Sequence, residues 1–236
     1  MAHATESKST EQTRRDFLIL ATGAAGVVGA GALVVPLVSQ LAPDAQTVAA
    51  AGRGWLLAKA GTDESDHSRM RDATYLGALM ALENGKPFEE AKGEVAYANG
   101  FIKWFAGEAE RLTGETHDSP LGHLILTFRE AVGPCALITP WNFPAAMLTR
   151  KLGPAFAAGC TAVVKPASQT PFTAIALAEL AYEAGLPPGV LSVVTGDAGA
   201  IGGVLTASPL IRKLSFTGST PVGRTLAEQC APTLKR

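Results

Sequence analysis

Cysteine, histidine and charge are all scarce in this chain, and each scarcity removes a class of function. The 3 cysteines, Cys135, Cys160 and Cys230, lack the paired or metal-like spacing of a disulfide framework or a zinc site. Two of them fall in apolar surroundings, which reads as small core residues. The 4 histidines, His3, His67, His117 and His123, sit beside no cysteine, so the Cys/His pairs that hold a two-iron cluster are missing and no metal site is expected. Charged residues make up 17% of the chain and the net charge is −1, which leaves no basic footprint for nucleic acid. The GxGxxG dinucleotide fingerprint is also missing. Gly196, Gly199 and Gly202 are spaced differently, and Gly218 is followed by Gly223.

Apolar residues, at 47%, are plentiful, and one segment accounts for much of that share. Residues 1–16 are polar and end in Arg14, Arg15 and Asp16. Residues 17–43 then carry no charge, and residues 17–38 are mostly Ala, Gly, Val and Leu. A membrane span needs about 20 apolar residues, and this run suffices. The Arg pair followed by Phe17 and Leu18 resembles a twin-arginine export signal. An uncleaved anchor is the favoured reading, and a membrane-associated protein the expectation. A cleaved signal, with a small-residue site around residues 46–51, stays open. A buried core helix fits poorly with the length, the glycines and the flanking arginines.

The chain is organised around residues 132–171. Residues 135–139 form a short apolar strand candidate, broken by Pro140 and Pro144. A helix is expected from Pro144 through residue 158, because proline suits a first helical turn and alanines follow. Gly159 stops it, and residues 161–164 read as a β-branched strand ending at Lys165. Strand, helix and strand in that order demand a right-handed crossover and a parallel sheet, with ligands at the carboxyl ends of the strands. Asn142 and Lys165 lie at those ends. The unit then repeats, with helices at 172–184, 198–207 and from 219 to 230, and strands at 190–194 and 213–216. The expected fold class is α/β, an open Rossmann-like parallel sheet.

Upstream, residues 52–71 read as a loop or frayed helix start, residues 74–83 as a helix ended by Asn84-Gly85, and residues 88–112 as a long helix. Its apolar side carries Val95, Phe101, Ile102, Trp104 and Phe105, which reads as core. Residues 114–122 read as a loop and residues 123–130 as a strand.

Taken on spacing alone, the glycines leave a nucleotide site and a plain βα turn both open. The physical case for phosphate lies at Phe216, Thr217, Gly218 and Ser219. There a strand ends and a helix begins, so free N–H groups and the helix dipole favour an anion. Lys165 can supply a cation to such a ligand or stand as a solvated surface lysine. Asn142 can act as an amide donor or as a turn residue before Pro144.

The segments PWNFP, TRKLGPAFAAGC, VVKPASQTP and KLSFTGSTPVG resemble the first half of an aldehyde dehydrogenase cofactor domain, closest to succinate-semialdehyde dehydrogenases, over residues 74–236. Residues 13–50 resemble the N-terminal anchor of bacterial Rieske iron–sulfur subunits. The division implied is a leader and anchor at 1–50, a junction at 51–73 and an incomplete cofactor-binding domain at 74–236. Joined to its second half, such a domain would oxidise an aldehyde, succinate semialdehyde first, to a carboxylic acid. The alternatives are a Rieske-type electron-transfer subunit or a nucleotide-binding module without chemistry.

The aldehyde dehydrogenase resemblance implies cofactor contacts at Ile138, Thr139, Pro140, Trp141, Lys165, Ser168, Gly196, Gly199, Phe216, Thr217, Gly218, Ser219 and Val222. Lys165 and Ser168 would hold the adenosine ribose and Ser219 would meet the pyrophosphate. Many NAD-preferring members place Glu where this chain has Ser168. A carboxylate there would repel a 2′-phosphate, so NADP is expected first, with NAD possible. Asn142 would stabilise the oxyanion and Arg150 would grip a substrate carboxylate. The resemblance also implies a homo-oligomer for the complete enzyme. No cysteine of the chain matches the family's nucleophile, and the general-base glutamate motif would begin past residue 236. The chain alone is therefore expected not to turn over aldehydes.

Overall fold

The computed structural model describes residues 66–235, with side chains from residue 73 onward. Helices α1 (Asp66–Asn84) and α2 (Phe88–Glu110) pack against each other. The turn between them needs Gly85, whose φ of 81° disfavours a side chain, and Pro87 then precedes the first residue of α2. Helix α1 starts at Asp66, inside the stretch read as a loop or frayed helix start. Of the side chains expected in the core, Val95, Phe101, Ile102 and Phe105 pack against it, whereas Trp104 is 64% exposed.

A hairpin follows. Strand β1 (Glu115–Asp118) runs antiparallel to β2 (Leu124–Thr127), with Glu115 opposite Thr127 and Asp118 opposite Leu124. The sequence placed β2 but read β1 as loop, because Glu-Thr-His-Asp has no apolar alternation to mark it. Every residue of both strands is exposed.

The body of the fold is a 4-stranded parallel sheet in the order β5-β4-β3-β6. Its strands are β3 (Cys135–Ile138), β4 (Ala162–Lys165), β5 (Leu191–Val193) and β6 (Lys213–Phe216). They alternate with α3 (Pro144–Ala157), α4 (Pro171–Glu183), α5 (Ala198–Ala207) and α6 (Thr220–Cys230). All three pairings are parallel. Parallel strands must return through crossovers, and helices then cover both faces, so the strands can be apolar along their whole length. Ala162, Val163 and Val164 are each 0% exposed.

Alternate residues divide between two cores, as the two-residue period of a strand requires. Cys135, Leu137, Ala162, Val164 and Leu191 pack with Leu148, Leu152 and Phe156 of α3 and Ala174 and Ala178 of α4. Ala136 and Val163 face the other way, onto Ile201 and Leu205 of α5 and Ile211. The α1–α2 layer lies outside α3, where Met80, Ala91 and Ala98 meet Ala145 and Ala146. Gly153 permits that approach, because a Cβ there would lie 2.8 Å from the Phe105 ring.

Residues 17–38, expected as a membrane helix, lie outside the described residues. Among the described residues no helix is long and apolar enough to cross a membrane.

Candidate functional site

The chain runs β3, β4, β5 outward along one side of the sheet, then returns to place β6 on the other side of β3. That reversal opens a crevice beyond the carboxyl ends of β3 and β6, where open α/β sheets bind ligands. Register makes the convergence exact at residue level: Ile138 pairs with Lys165 on one side and with Phe216 on the other. The Thr139 amide donates to Lys165 O at 3.3 Å, and the Thr217 amide to Ile138 O at 3.1 Å. So Ile138, Thr139, Pro140, Trp141, Asn142, Lys165, Phe216, Thr217, Gly218 and Ser219 lie at three adjacent strand ends. Ser168 is exposed in the loop after β4, and Val222 is exposed in the first turn of α6. Gly196 and Gly199 sit at the far side, beyond β5, next to the Lys165 end and three strand positions from Phe216.

Four helices begin at this edge, and three have a carboxylate at their N-termini. Asp197 caps α5, accepting from the Ala200 amide at 2.7 Å. Neither α3 nor α4 has a side-chain cap from its own N-cap residue, Phe143 or Thr170. Instead Glu94 of α2 accepts from the Ala145 and Ala146 amides at 2.8 and 3.1 Å. Glu83 of α1 accepts from the Phe172 and Thr173 amides at 2.8 and 3.0 Å. Helix α6 differs. Its N-cap Ser219 makes no side-chain cap bond, and its first turn holds no acidic residue. Among the described residues, the positive end of α6 therefore faces the crevice without a protein carboxylate on it. Its approach is tight, since a Cβ on Gly218 would lie 2.5 Å from the Phe216 ring.

Lys165 is 6% exposed, not a solvated surface lysine. Its Nζ donates to Pro166 O at 2.8 Å. Burial pushes its pKa down, and the Asp197 carboxylate opposes that shift. A buried lysine at one strand end and an anion-ready helix start two strands away suit the phosphate-bearing end of a dinucleotide, the group expected here. The residues present fit its adenosine and phosphate portions.

The loop carrying Asn142 is held by the α1–α2 turn. Asn84 Nδ2 donates to Trp141 O at 2.6 Å, and Lys86 Nζ donates to Asn142 O at 2.9 Å. The same ammonium pairs with Glu94 and stands 4.5 Å from the Phe143 ring centroid. With its main chain fixed, Asn142 is exposed in the loop at the carboxyl end of β3.

Arg150 is not brought to that group. It lies farther along α3, where Nη2 donates to Tyr97 Oη at 2.6 Å and the guanidinium sits 4.7 Å from the Phe101 ring centroid. Its Nε is buried without a hydrogen-bond partner among the described residues. The neighbouring Lys151, which sequence reasoning passed over, turns to the sheet and donates to Ser215 Oγ at 2.8 Å. Burial, with Arg150 beside it, pulls its pKa down to about 8. Sequence reasoning also passed over Asn84, Lys86, Glu94 and Asp197. Only the prolines opening α3 and α4 hinted that capping must come from elsewhere. All 3 cysteines are buried, and the Cys135 thiol's hydrogen bond to Cys160, together with burial, raises its pKa far above the usual thiol range.

Comparison with known proteins accounts for both parts of the chain. Residues 4–44 match the ubiquitinol-cytochrome C reductase Fe-S subunit TAT signal. This corrects the expected membrane association through residues 17–38: the match is to an export signal. An apolar run behind an arginine pair is common to signals and anchors, so composition alone could not separate them.

Among curated relatives, the chain is 60% identical over 165 residues to the succinate-semialdehyde dehydrogenase [NADP(+)] of Escherichia coli (strain K12), covering 68% of this chain and 34% of that protein. It is 59% identical over 165 residues to the glutarate-semialdehyde dehydrogenase of Pseudomonas putida, with the same 68% and 34% coverage. It thus spans about a third of the length of these relatives. A crystal structure of an NAD-dependent aldehyde dehydrogenase from Sinorhizobium meliloti superposes with a TM-score of 0.77 at 35% identity, covering 89% of this chain and 42% of that one. The aldehyde dehydrogenase family description matches residues 46–236, over the same parallel sheet and switch point described above, and the chain belongs to that family.

Proposed function

We propose that this chain supplies the cofactor-binding part of an enzyme that oxidises an aldehyde to a carboxylic acid with a nicotinamide cofactor. NADP is the favoured cofactor and succinate semialdehyde the favoured substrate. The observation that carries the reading is the uncapped N-terminus of α6 at the switch point, beside the buried Lys165. When bound, the nicotinamide group would accept hydride from the substrate. In this chain the Thr217–Ser219 turn and the α6 dipole hold the pyrophosphate, and Lys165 with Ser168 holds the adenosine ribose. The Asn142 amide donates to the oxygen that gains charge when a thiolate adds to the aldehyde carbon. Arg150, held by Tyr97 and Phe101 farther along α3, is assigned to the far carboxylate of a semialdehyde through the outer end of its guanidinium, not through its buried Nε. None of the chain's own cysteines suits the thiolate role, since all are buried. The thiolate role is accordingly assigned to none of Cys135, Cys160 and Cys230.

The favoured relative uses NADP by its name, and Ser168 places no carboxylate at the ribose. The test is Ser168→Glu with each cofactor titrated against wild type and variant. A carboxylate facing a 2′-phosphate costs on the order of 1 kcal/mol, a several-fold loss of NADP relative to NAD. An unchanged ratio removes Ser168 from the ribose site.

A further inference from the structure

From the turn that follows β5, we infer that Asp197 is a second specificity-determining residue of the cofactor site, a carboxylate beside Lys165 that favours a free ribose hydroxyl over a 2′-phosphate. The inference rests on the cofactor reading above and deepens it. Strands β4 and β5 are neighbours, with Val164 paired to Val193. The Val194 amide donates to Val164 O at 2.8 Å, which fixes the residues 195–197 turn alongside the Lys165 end of β4. Gly196, with φ at 136°, bends the chain so that Asp197 is exposed at the sheet's carboxyl edge.

One oxygen of Asp197 is committed to the Ala200 amide as the α5 cap. A carboxylate has a second oxygen and a full charge to spare. That charge is felt by the buried Lys165 ammonium, whose pKa it holds up against burial. Lys165 is the cation that would otherwise attract a phosphate on the ribose. Asp197 keeps that cation charged, but its own negative charge beside the lysine sets the net preference. It offsets the lysine's attraction for a 2′-phosphate, and it repels that dianion directly. Ser168 leaves its own side of the ribose neutral, so the preference for NADP is partial, and Asp197 is what limits it.

The capping role and the charge can be separated, because Asn caps a helix as well as Asp does. In Asp197→Asn the full chain should keep its melting temperature and lose only the charge. The probes are adenosine 2′,5′-bisphosphate and 5′-AMP, titrated calorimetrically, since they differ by the 2′-phosphate and need nothing from the nicotinamide end. The ratio of their affinities should rise several-fold in favour of the bisphosphate, and the rise should shrink with added salt. Asp197→Ser, which also caps, should behave alike and serves if the Asn variant melts early. A ratio unchanged in both variants, with wild type binding, overturns the inference and leaves the cofactor reading standing. Equal gains for both probes overturn it as well, as a general effect of charge. Failure of wild type to bind either probe overturns the cofactor reading together with the inference.

Discussion

Removing the Glu94 carboxylate should release the loop that presents Asn142. Glu94 is 4% exposed, and it faces the Ala145 and Ala146 amides and the Lys86 ammonium together. In Glu94→Ala two helix N-terminal donors lose their acceptor, and Lys86, whose side chain is 12% exposed, loses its counterion. Breaking a buried pair from one side costs about 3–5 kcal/mol, and each orphaned buried donor about 1–3 kcal/mol. Lys86 keeps the Asn142 carbonyl and the Phe143 ring, which reduces the loss. The expected destabilisation is about 2–4 kcal/mol. Glu94→Gln keeps an acceptor oxygen and loses the charge, so it should cost about 1–2 kcal/mol. Urea midpoints at unchanged slope report these values, and hydrogen exchange at the Ala145 and Ala146 amides reports the cap itself. A cycle with Lys86→Met should give a coupling of about 1–3 kcal/mol. Glu94→Ala costing under about 1 kcal/mol, with exchange at both amides unaltered, would refute the argument that α2 caps α3.

Gly218→Ala places a methyl against the Phe216 ring, and overpacking of about 1–3 kcal/mol should appear as weaker cofactor binding by calorimetry; undiminished affinity would put the phosphates elsewhere. Lys151, with its pKa lowered to about 8, is disfavoured in its charged form when folded, chiefly by burial. Between pH 8 and the ordinary lysine value of 10.5 the unfolded chain keeps a proton that the folded one has released, so this group makes stability rise with pH over that window. Lys151→Met should remove that rise from the difference between the two midpoint-versus-pH curves, and identical slopes would count against a depressed pKa. Exposed Leu124, Ile125, Leu126 and Phe128 make β2 an adhesive edge. Ile125→Lys should lower self-association in sedimentation velocity, and an unchanged distribution would place the contact elsewhere.

The sheet was legible because parallel strands buried on both faces must be apolar runs, and residues 135–138, 162–165 and 213–216 are short, punctuated and followed by Pro or Gly turns. Strand order alone pointed to Asn142, Lys165 and the residues 216–219 turn as candidates, and the family resemblance supplied the rest. Lys165 was legible as a candidate but not as a buried one, since burial appears only when the sheet and its loops assemble. Strand β1 escaped because Glu115 and His117 alternate with Thr116 and Asp118, and nothing among them seeks a core. Trp104 was read as core from helical spacing, but the face it shares is left uncovered among the described residues.

The caps were illegible for a different reason. Thr170 before Pro171 looks like a helix cap, yet its Oγ1 is buried without a partner among the described residues, and the N-terminus it precedes is held by Glu83, 90 residues away in the chain from Thr173. Phe143 cannot cap at all, and Glu94 does the work for α3 across 51 positions from Ala145. Local sequence can show that a helix start lacks a partner; only the fold shows which carboxylate arrives. The consequence for function lies in the distribution. Carboxylates from α1, α2 and the β5 turn occupy the positive ends of α4, α3 and α5. An anionic ligand drawn to this edge of the sheet meets repulsion at each of those three and none at α6. The negative charges placed on the other helices are thus as much a part of the proposed phosphate site as the glycine turn assigned to it.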